Sequence, residues 1–475
     1  MSASKERDFL FRTGMYNRRV YAGIQSDRCV VWQPVGKTHF RNHSLCDHAC
    51  LITHKGVKTG GNYKCDSSFP FADGAKAKFA SRETHVKWTK SVAAALPVAR
   101  DMFFAHHFDR YVDIFQVPPG WAGEIKTILT DPDMKIEGNE FGGSPSMNPG
   151  CMGIVGDLKD AGLLVNITDP GRRLMTNEKF RKEFEANPPQ ILALSFDDIA
   201  LSEIERFSKM TLDQLKAEWD EVDKIHGQRQ KAIEGLWAAE WVREKGLSVK
   251  ILFNVVIHPG NIGHLNDILR TLWACVPGCL TNPYPAQSFK GADPCWTSES
   301  LPALRNHILE FIHGTLNGVP GINNRISYYI MLEAAFRKWW PHNPQLLCRF
   351  MSGIGAWDPT LREGAYRYIE VASNADVLPG PFEQLPPPGG HVGSFWNRHL
   401  SFSWQLNGQS PEELADVFVN GMVKRGQELR RSTLLYVQTS SIMPRLLLDH
   451  LSTELGIPHE LVPEYLETRM EFCGF

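Results

Sequence analysis

The chain has 475 residues, of which 43% are hydrophobic and 22% are charged, a composition that excludes disordered and collagen-like chains. Its 51 basic and 53 acidic residues give a net charge of −2, which argues against general binding to nucleic acids or acidic membranes. Apolar runs are far shorter than the roughly 20 residues of a membrane span, and the charged start lacks the apolar core of a signal peptide. We therefore expect a cytoplasmic protein whose 10 cysteines are reduced thiols or metal ligands.

The N-terminal region holds the sharpest local motif. Residues 1–45 are predicted to be irregular, with one strand at Cys29–Val35. Cys46 and Cys50 then stand four residues apart in a loop-like segment rich in Gly, Lys and His. Two thiols at this spacing can hold one metal centre, and thiolates favour zinc, copper or iron–sulfur clusters. Two alternatives stay open: two unrelated buried thiols, or a zinc site that uses His39, His43, His48 or His54.

Regular alternation of strands and helices begins near residue 136. We predict a helix over Thr84–His106 that is broken near Pro97, and one long helix from the capping box Thr211–Gln214 to Gly246. Short connections between strands and helices indicate a parallel sheet covered by helices on both faces. The predicted strands are Ile136–Phe141, Leu163–Thr168, Ile191–Phe196, Val249–Ile257 and Cys279–Tyr284.

Polar residues and glycines fall on these strands or directly after them. Gly142-Gly143-Ser144-Pro145 follows the first strand, and adjacent glycines let a ligand approach the backbone closely. Ser195 lies near the end of the third strand, Asn254 inside the fourth and Tyr284 at the end of the fifth. Each feature alone also fits a tight turn or a satisfied core amide. Together they predict one pocket, since such folds bind ligands at the carboxyl ends of their strands.

The order of these features resembles the radical S-adenosylmethionine (radical SAM) superfamily over roughly residues 40–290. A Cys-x3-Cys loop is followed by a strand ending in Gly-Gly-x-Pro, a strand ending near Ser195, and the sequence Asn-Val-Val-Ile-x-Pro-x-Asn from Asn254. Residues 139–168 are similar to the family's Gly-Gly-Glu-Pro strand, helix and next strand. The resemblance implies an α/β fold, a partial (β/α)6-type barrel over residues 1–300 that includes the cluster loop. We expect residues 301–475 to form a mostly helical extension that covers the active site.

The resemblance also implies two cofactors. Members of the family hold a [4Fe-4S] cluster on three cysteines, and the open iron chelates the amino and carboxylate groups of S-adenosylmethionine (SAM). One electron from the cluster cleaves a carbon–sulfur bond of SAM, usually giving a 5′-deoxyadenosyl radical. Carried onto this chain, Gly142, Gly143 and Ser144 lie beside the methionine part of SAM. Ser195, Asn254 and Tyr284 then lie beside its ribose and adenine.

Two positions depart from the family pattern. The family usually has Cys-x3-Cys-x2-Cys, but Thr53 stands here at the third position, and a hydroxyl is a poor ligand for cluster iron. Cys65 is the nearest remaining thiol and our predicted third ligand, with Cys29, His48 and His54 as rivals. Ser144 replaces the usual Glu, so the carboxylate partner of the SAM amino group is missing.

The expected activity is reductive cleavage of SAM that starts radical chemistry or group transfer on a small-molecule substrate. The electron would come from a donor such as flavodoxin or ferredoxin. One alternative is an unusual cleavage that transfers the aminocarboxypropyl arm of SAM. The alternative from another class is a zinc-stabilised α/β binding protein without radical chemistry. We expect no nucleic-acid or membrane partner.

The cluster ligands give a first prediction. Single changes of Cys46, Cys50 or Cys65 to alanine should each lower the iron content after anaerobic reconstitution, because each removes a thiolate ligand. Iron analysis and electron paramagnetic resonance measure the effect. Full iron and an unchanged spectrum in Cys65→Ala, together with iron loss in Cys29→Ala, would show that the third ligand is misassigned.

Overall fold

A computed structural model gives the fold. It describes residues 19–24, 30–35, 39–44, 81–106, 135–140, 145–196, 199–222, 227–285, 296–316, 333, 336, 340–351, 368–371, 376–378, 404–405, 408–417 and 419. The strands are β1 Arg19–Ile24, β2 Val30–Val35, β3 His39–Ser44, β4 Lys135–Glu140, β5 Leu164–Asp169, β6 Ile191–Ser195, β7 Lys250–Ile257, β8 Leu280–Pro285, β9 Tyr368–Val371, β10 Asp376–Leu378 and β11 Trp404–Gln405. The helices are α1 Arg82–His106, α2 Cys151–Asp160, α3 Arg172–Thr176, α4 Glu178–Ala186, α5 Leu201–Phe207, α6 Leu212–Glu221, α7 Gly227–Glu244, α8 Leu265–Cys275, α9 Leu301–Leu316 and α10 Pro344–Met351.

Nine strands form one sheet in the order β11-β10-β9-β1-β4-β5-β6-β7-β8. From β1 to β8, six strands follow one another in chain order, and every neighbouring pair is parallel. Each parallel pair is joined through at least one helix. Right-handed crossovers place successive helices on the same face when the strand order advances steadily in one direction. The expected parallel α/β sheet is therefore confirmed, whereas closure into a barrel stays a prediction.

One face of β5–β8 is the helix face. Leu192, Leu194, Phe253 and Val255 on this face are buried, and the rings of Phe196 and Phe253 meet edge to face with centroids 5.6 Å apart. α7 packs against β6 on this side, close to Leu194 and Phe253. Alternate residues of a strand point to opposite faces, so the intervening residues form a second face, which we call the open face.

Several local expectations are corrected. The described residues within 1–45 form three strands rather than one, and the helix Arg82–His106 continues through Pro97. The Thr211–Gln214 capping box is present, but its helix ends at Glu221, and a second helix runs over Gly227–Glu244. Val222, the C-cap residue, has extended dihedrals that end the first helix.

The C-terminal part also contributes strands. Residues 301–475 supply helices α9 and α10, but also β9, which pairs in parallel with β1, and the short strands β10 and β11. A capping box begins the helix over 411–417, since the side chains of Ser410 and Glu413 bond each other's backbone N–H groups. No described helix is long and apolar enough to cross a membrane.

Alanine substitutions at two glycines are expected to change the stability of the protein in opposite directions. Gly235→Ala should raise the free energy of unfolding by about 0.5–1 kcal/mol, because alanine favours a helix interior. Its Cβ would lie 3.6 Å from Phe253 Cε1, an ordinary contact distance. Gly171→Ala should lower this free energy by about 1–3 kcal/mol. Gly171 has φ +91°, and a Cβ there would lie 2.8 Å from the Glu234 carbonyl oxygen.

Urea denaturation of both variants measures whether the free energy of unfolding rises or falls relative to the unmutated protein. Destabilisation of Gly235→Ala would contradict the packing of α7 against the β6–β7 face. An unchanged stability of Gly171→Ala would contradict the close approach of the β5–α3 turn to α7.

Candidate functional site

A row of polar side chains crosses the open face. Strand register pairs Ser195 of β6 with Asn254 of β7, and Asn254 with Asn282 of β8. All three side chains are half-buried. Thr168 and Asn166 of β5 lie on the same face and are also half-buried. We call Ser195, Asn254 and Asn282 the polar row, because their register makes them neighbours on adjacent strands.

The polar row stands on an apolar layer. Closer to the amino ends of the strands, the same face carries a buried hydrophobic cluster, made of Ile191, Ala193, Leu252 and Leu280. This face therefore changes from apolar to polar toward the carboxyl ends of β6, β7 and β8. Such a gradient suits a ligand that is held by hydrogen bonds at one end of a sheet.

The two amides of the polar row bond directly to each other. Asn282 Nδ2 donates to Asn254 Oδ1 over 3.0 Å. An amide carries two N–H donors and one carbonyl acceptor, so this pair presents the Asn254 amide as a donor and the Asn282 carbonyl as an acceptor. The central Asn254 thus has a side-chain partner rather than a backbone partner.

A buried carboxylate ties two loops together at the carboxyl edge of the sheet. Asp169, the last residue of β5, is 3% exposed. Its two oxygens accept the backbone N–H groups of Ser146, over 3.1 Å, and Gly171, over 2.9 Å. Arg173 Nη1 donates to the Ser146 carbonyl oxygen over 2.5 Å. We call Asp169 and Arg173 the turn clamp, because together they hold both backbone groups of Ser146 in the turn Pro145–Met147.

The predicted SAM residues divide into described and undescribed positions. Ser195 and Asn254 lie side by side in the polar row. Tyr284 lies in β8 and pairs with Val256 in register, two residues beyond Asn282, and its side chain lies outside the described residues. Gly142, Gly143 and Ser144 also lie outside them, directly before the clamped turn.

The predicted cluster ligands Cys46, Cys50 and Cys65 lie outside the described residues. Within the described ranges, no group of three or more His, Cys, Asp or Glu side chains is arranged to hold a metal ion. Cys279, just before β8, is a buried thiol, whereas the nearby Cys275 is half-buried. Burial raises the pKa of Cys279 to about 12, and its Sγ lies 3.7 Å from the Leu272 carbonyl oxygen, so this thiol stays protonated near neutral pH.

Sequence analysis missed two residues of this region. Asn282 is two residues before Tyr284 in β8. Because alternate residues of a strand lie on the same face, this spacing could have placed Asn282 on the face of Tyr284. Asp169 ends β5 and is followed by Pro170 and Gly171, a common turn pattern that gave no sign of a bond to the distant Ser146. The latter contact spans 23 residues and depends on tertiary structure.

Comparison with protein families and with curated proteins finds no match for this chain. Among solved structures, it is similar to Streptococcus suis SuiB bound to S-adenosylmethionine, with 10% identity, a TM-score of 0.37 and coverage of 78% of this chain. The chain spans 62% of the length of that SuiB structure. It is also similar to histidine-tagged anSMEcpe with bound AdoMet, with 12% identity, a TM-score of 0.40 and coverage of 94% of this chain and 98% of the other.

Accessibility of the two faces gives a prediction for neighbouring residues of β7. Asn254→Cys should react with a maleimide in the native protein, because this position is half-exposed on the open face. The matched variant Val255→Cys should react more than about tenfold more slowly, since Val255 is fully buried on the helix face and reaction needs local opening. Peptide-resolved mass spectrometry separates these thiols from the native cysteines. Equal labelling rates would contradict the assignment of the faces.

Proposed function

We propose that the protein is a radical SAM enzyme that binds SAM along the carboxyl half of its parallel sheet and uses it to start chemistry on a small molecule. The observation that carries the proposal is the polar row, Ser195, Asn254 and Asn282, on the open face of six parallel strands in chain order. Its support from sequence is the order of the Cys-x3-Cys loop, the glycine loop and these strands.

The strand order favours a barrel-type arrangement over a doubly wound sheet. In doubly wound sheets the strand order reverses, and the ligand binds at the reversal point. Here the order from β1 to β8 does not reverse. A steadily advancing sheet with its helices on one face curls around the other face, which makes the open face concave. A partial barrel with the polar row inside is the arrangement that we propose.

The polar row fits the adenosine part of SAM. A donor and an acceptor side by side on Asn254 and Asn282 match the ring nitrogen and amino group of an adenine edge. Ser195 on the neighbouring strand adds a hydroxyl at the distance of one strand, suited to a ribose hydroxyl. We propose that Tyr284 completes this nucleoside site at the end of β8.

The remaining roles rest on residues of the family pattern. Gly142, Gly143 and Ser144 would hold the amino-acid end of SAM by their backbone, and Cys46, Cys50 and Cys65 would hold the cluster. When bound, the cluster supplies the electron that cleaves SAM. The chain's own part is to bind and orient SAM and to exclude water, and we propose that residues 301–475 provide the cover. A soluble donor such as flavodoxin or ferredoxin would reduce the cluster.

One experiment separates the candidate functions. Protein purified without oxygen should be brown, contain iron, and cleave SAM to 5′-deoxyadenosine and methionine when dithionite is added. Methylthioadenosine as the product would identify the alternative in which the aminocarboxypropyl arm is transferred. A colourless protein with stoichiometric zinc and no SAM turnover would overturn the proposal in favour of the binding-protein alternative.

Asn254→Ala tests the role of the polar row in the same protein. Loss of the half-buried, hydrogen-bonding amide of Asn254 should weaken SAM binding by about tenfold in calorimetry. Asn266→Ala is the matched control, because Asn266 lies on α8 and bonds Glu310 on the surface. Equal affinities of the two variants would remove Asn254 from the site.

A further inference from the structure

The geometry points to Asp169 and Arg173, the turn clamp, as positioning residues for the glycine loop Gly142-Gly143-Ser144. We propose that they set the conformation in which this loop meets the amino-acid end of the ligand, without touching the ligand themselves. The inference rests on the proposed function, since it assumes that the loop contacts SAM. It concerns residues that the resemblance to the family does not point to.

The clamp holds the chain immediately after the loop. Pro145–Met147 form a single turn that begins at the residue after Ser144. The N–H of Ser146 donates to Asp169 Oδ2, and its carbonyl oxygen accepts from Arg173. Among the described residues, the Ser146 hydroxyl has no hydrogen-bond partner, so the backbone makes the contact with the clamp. Asn148 N donates to the Pro145 carbonyl oxygen over 2.9 Å and closes the turn.

The clamp is itself held firmly. Asp169 belongs to β5, pairs with Leu194 of β6 in register, and accepts a second bond from Gly171, so its carboxylate is fixed by strand and loop together. The Arg173 guanidinium lies over the Phe180 ring, 5.7 Å from its centroid. Bonds from backbone N–H groups to a buried carboxylate are stronger than neutral ones, because the acceptor is charged. The turn Pro145–Met147 is anchored by these bonds, and anchoring a segment in advance lowers the entropy lost when a ligand binds.

Asp169→Asn tests the clamp with the shape of the side chain retained. The amide has one carbonyl oxygen and an NH2 group, so it cannot accept from both Ser146 and Gly171. Affinity for SAM should fall about tenfold, whereas affinity for 5′-methylthioadenosine, which lacks the amino-acid arm, should change less than about twofold. Calorimetry with the full chain under anaerobic conditions measures both ligands. Asp157→Asn is the matched control, because Asp157 lies on α2 and its carboxylate pairs with the exposed Arg82 instead of the backbone of Ser146.

The outcomes separate the inference from the proposed function. No SAM binding by the unmutated protein would overturn the proposed function and this inference with it. SAM binding that is unchanged in Asp169→Asn, or weakened equally for both ligands, would overturn the inference alone. If Asp169→Asn does not fold, Arg173→Met carries the same test, because it removes the bond to the Ser146 carbonyl oxygen and keeps an aliphatic chain over Phe180. A selective loss for SAM in either variant supports the clamp.

Discussion

Hydrogen bonding between parallel strands is the constraint on which the rest of the structure depends. Six strands advance across the sheet in chain order, and each connection must return the chain to the same edge. The connections therefore supply the helices, which bury Leu194 and Phe253 on one face. On the other face, the half-buried positions near the carboxyl ends of β6, β7 and β8 carry the polar row. A candidate ligand site is thus a consequence of how the sheet is built.

Polar side chains in a sheet must satisfy their hydrogen-bonding groups, because a buried unpaired amide costs about 1–3 kcal/mol. Asn254 and Asn282 meet this need by bonding each other across two strands. The pair stabilises the register between β7 and β8 and still retains donors and acceptors for a ligand. The hydrophobic cluster below, with Leu252 and Leu280, anchors the same strands. The same strands therefore pack through apolar residues near their amino ends and carry the candidate ligand-binding residues near their carboxyl ends.

A buried carboxylate joins two turns at the carboxyl edge of the sheet. Asp169 accepts N–H groups from the turn after β4 and from the turn after β5, so one carboxylate joins two successive connections. Farther along the chain, Glu234 of α7 accepts from Arg172 and from Trp219 and joins α3 and α6 to the same helix. Each carboxylate is buried and accepts two hydrogen bonds, as a desolvated charge requires.

Periodicity and local motifs predicted the strands β4 to β8 to within two residues, because buried parallel strands are short apolar runs bounded by turns. They also identified the capping box at Thr211, whose bonds to Gln214 are made within four residues. They failed where distant parts of the chain compete with local preference, as in the helix that continues through Pro97. Only tertiary structure paired Asn282 with Asn254 and Asp169 with Ser146. The partners of the two pairs lie 28 and 23 residues apart in the chain, so strand register in the first case and the packing of a turn against a strand end in the second decide which groups meet.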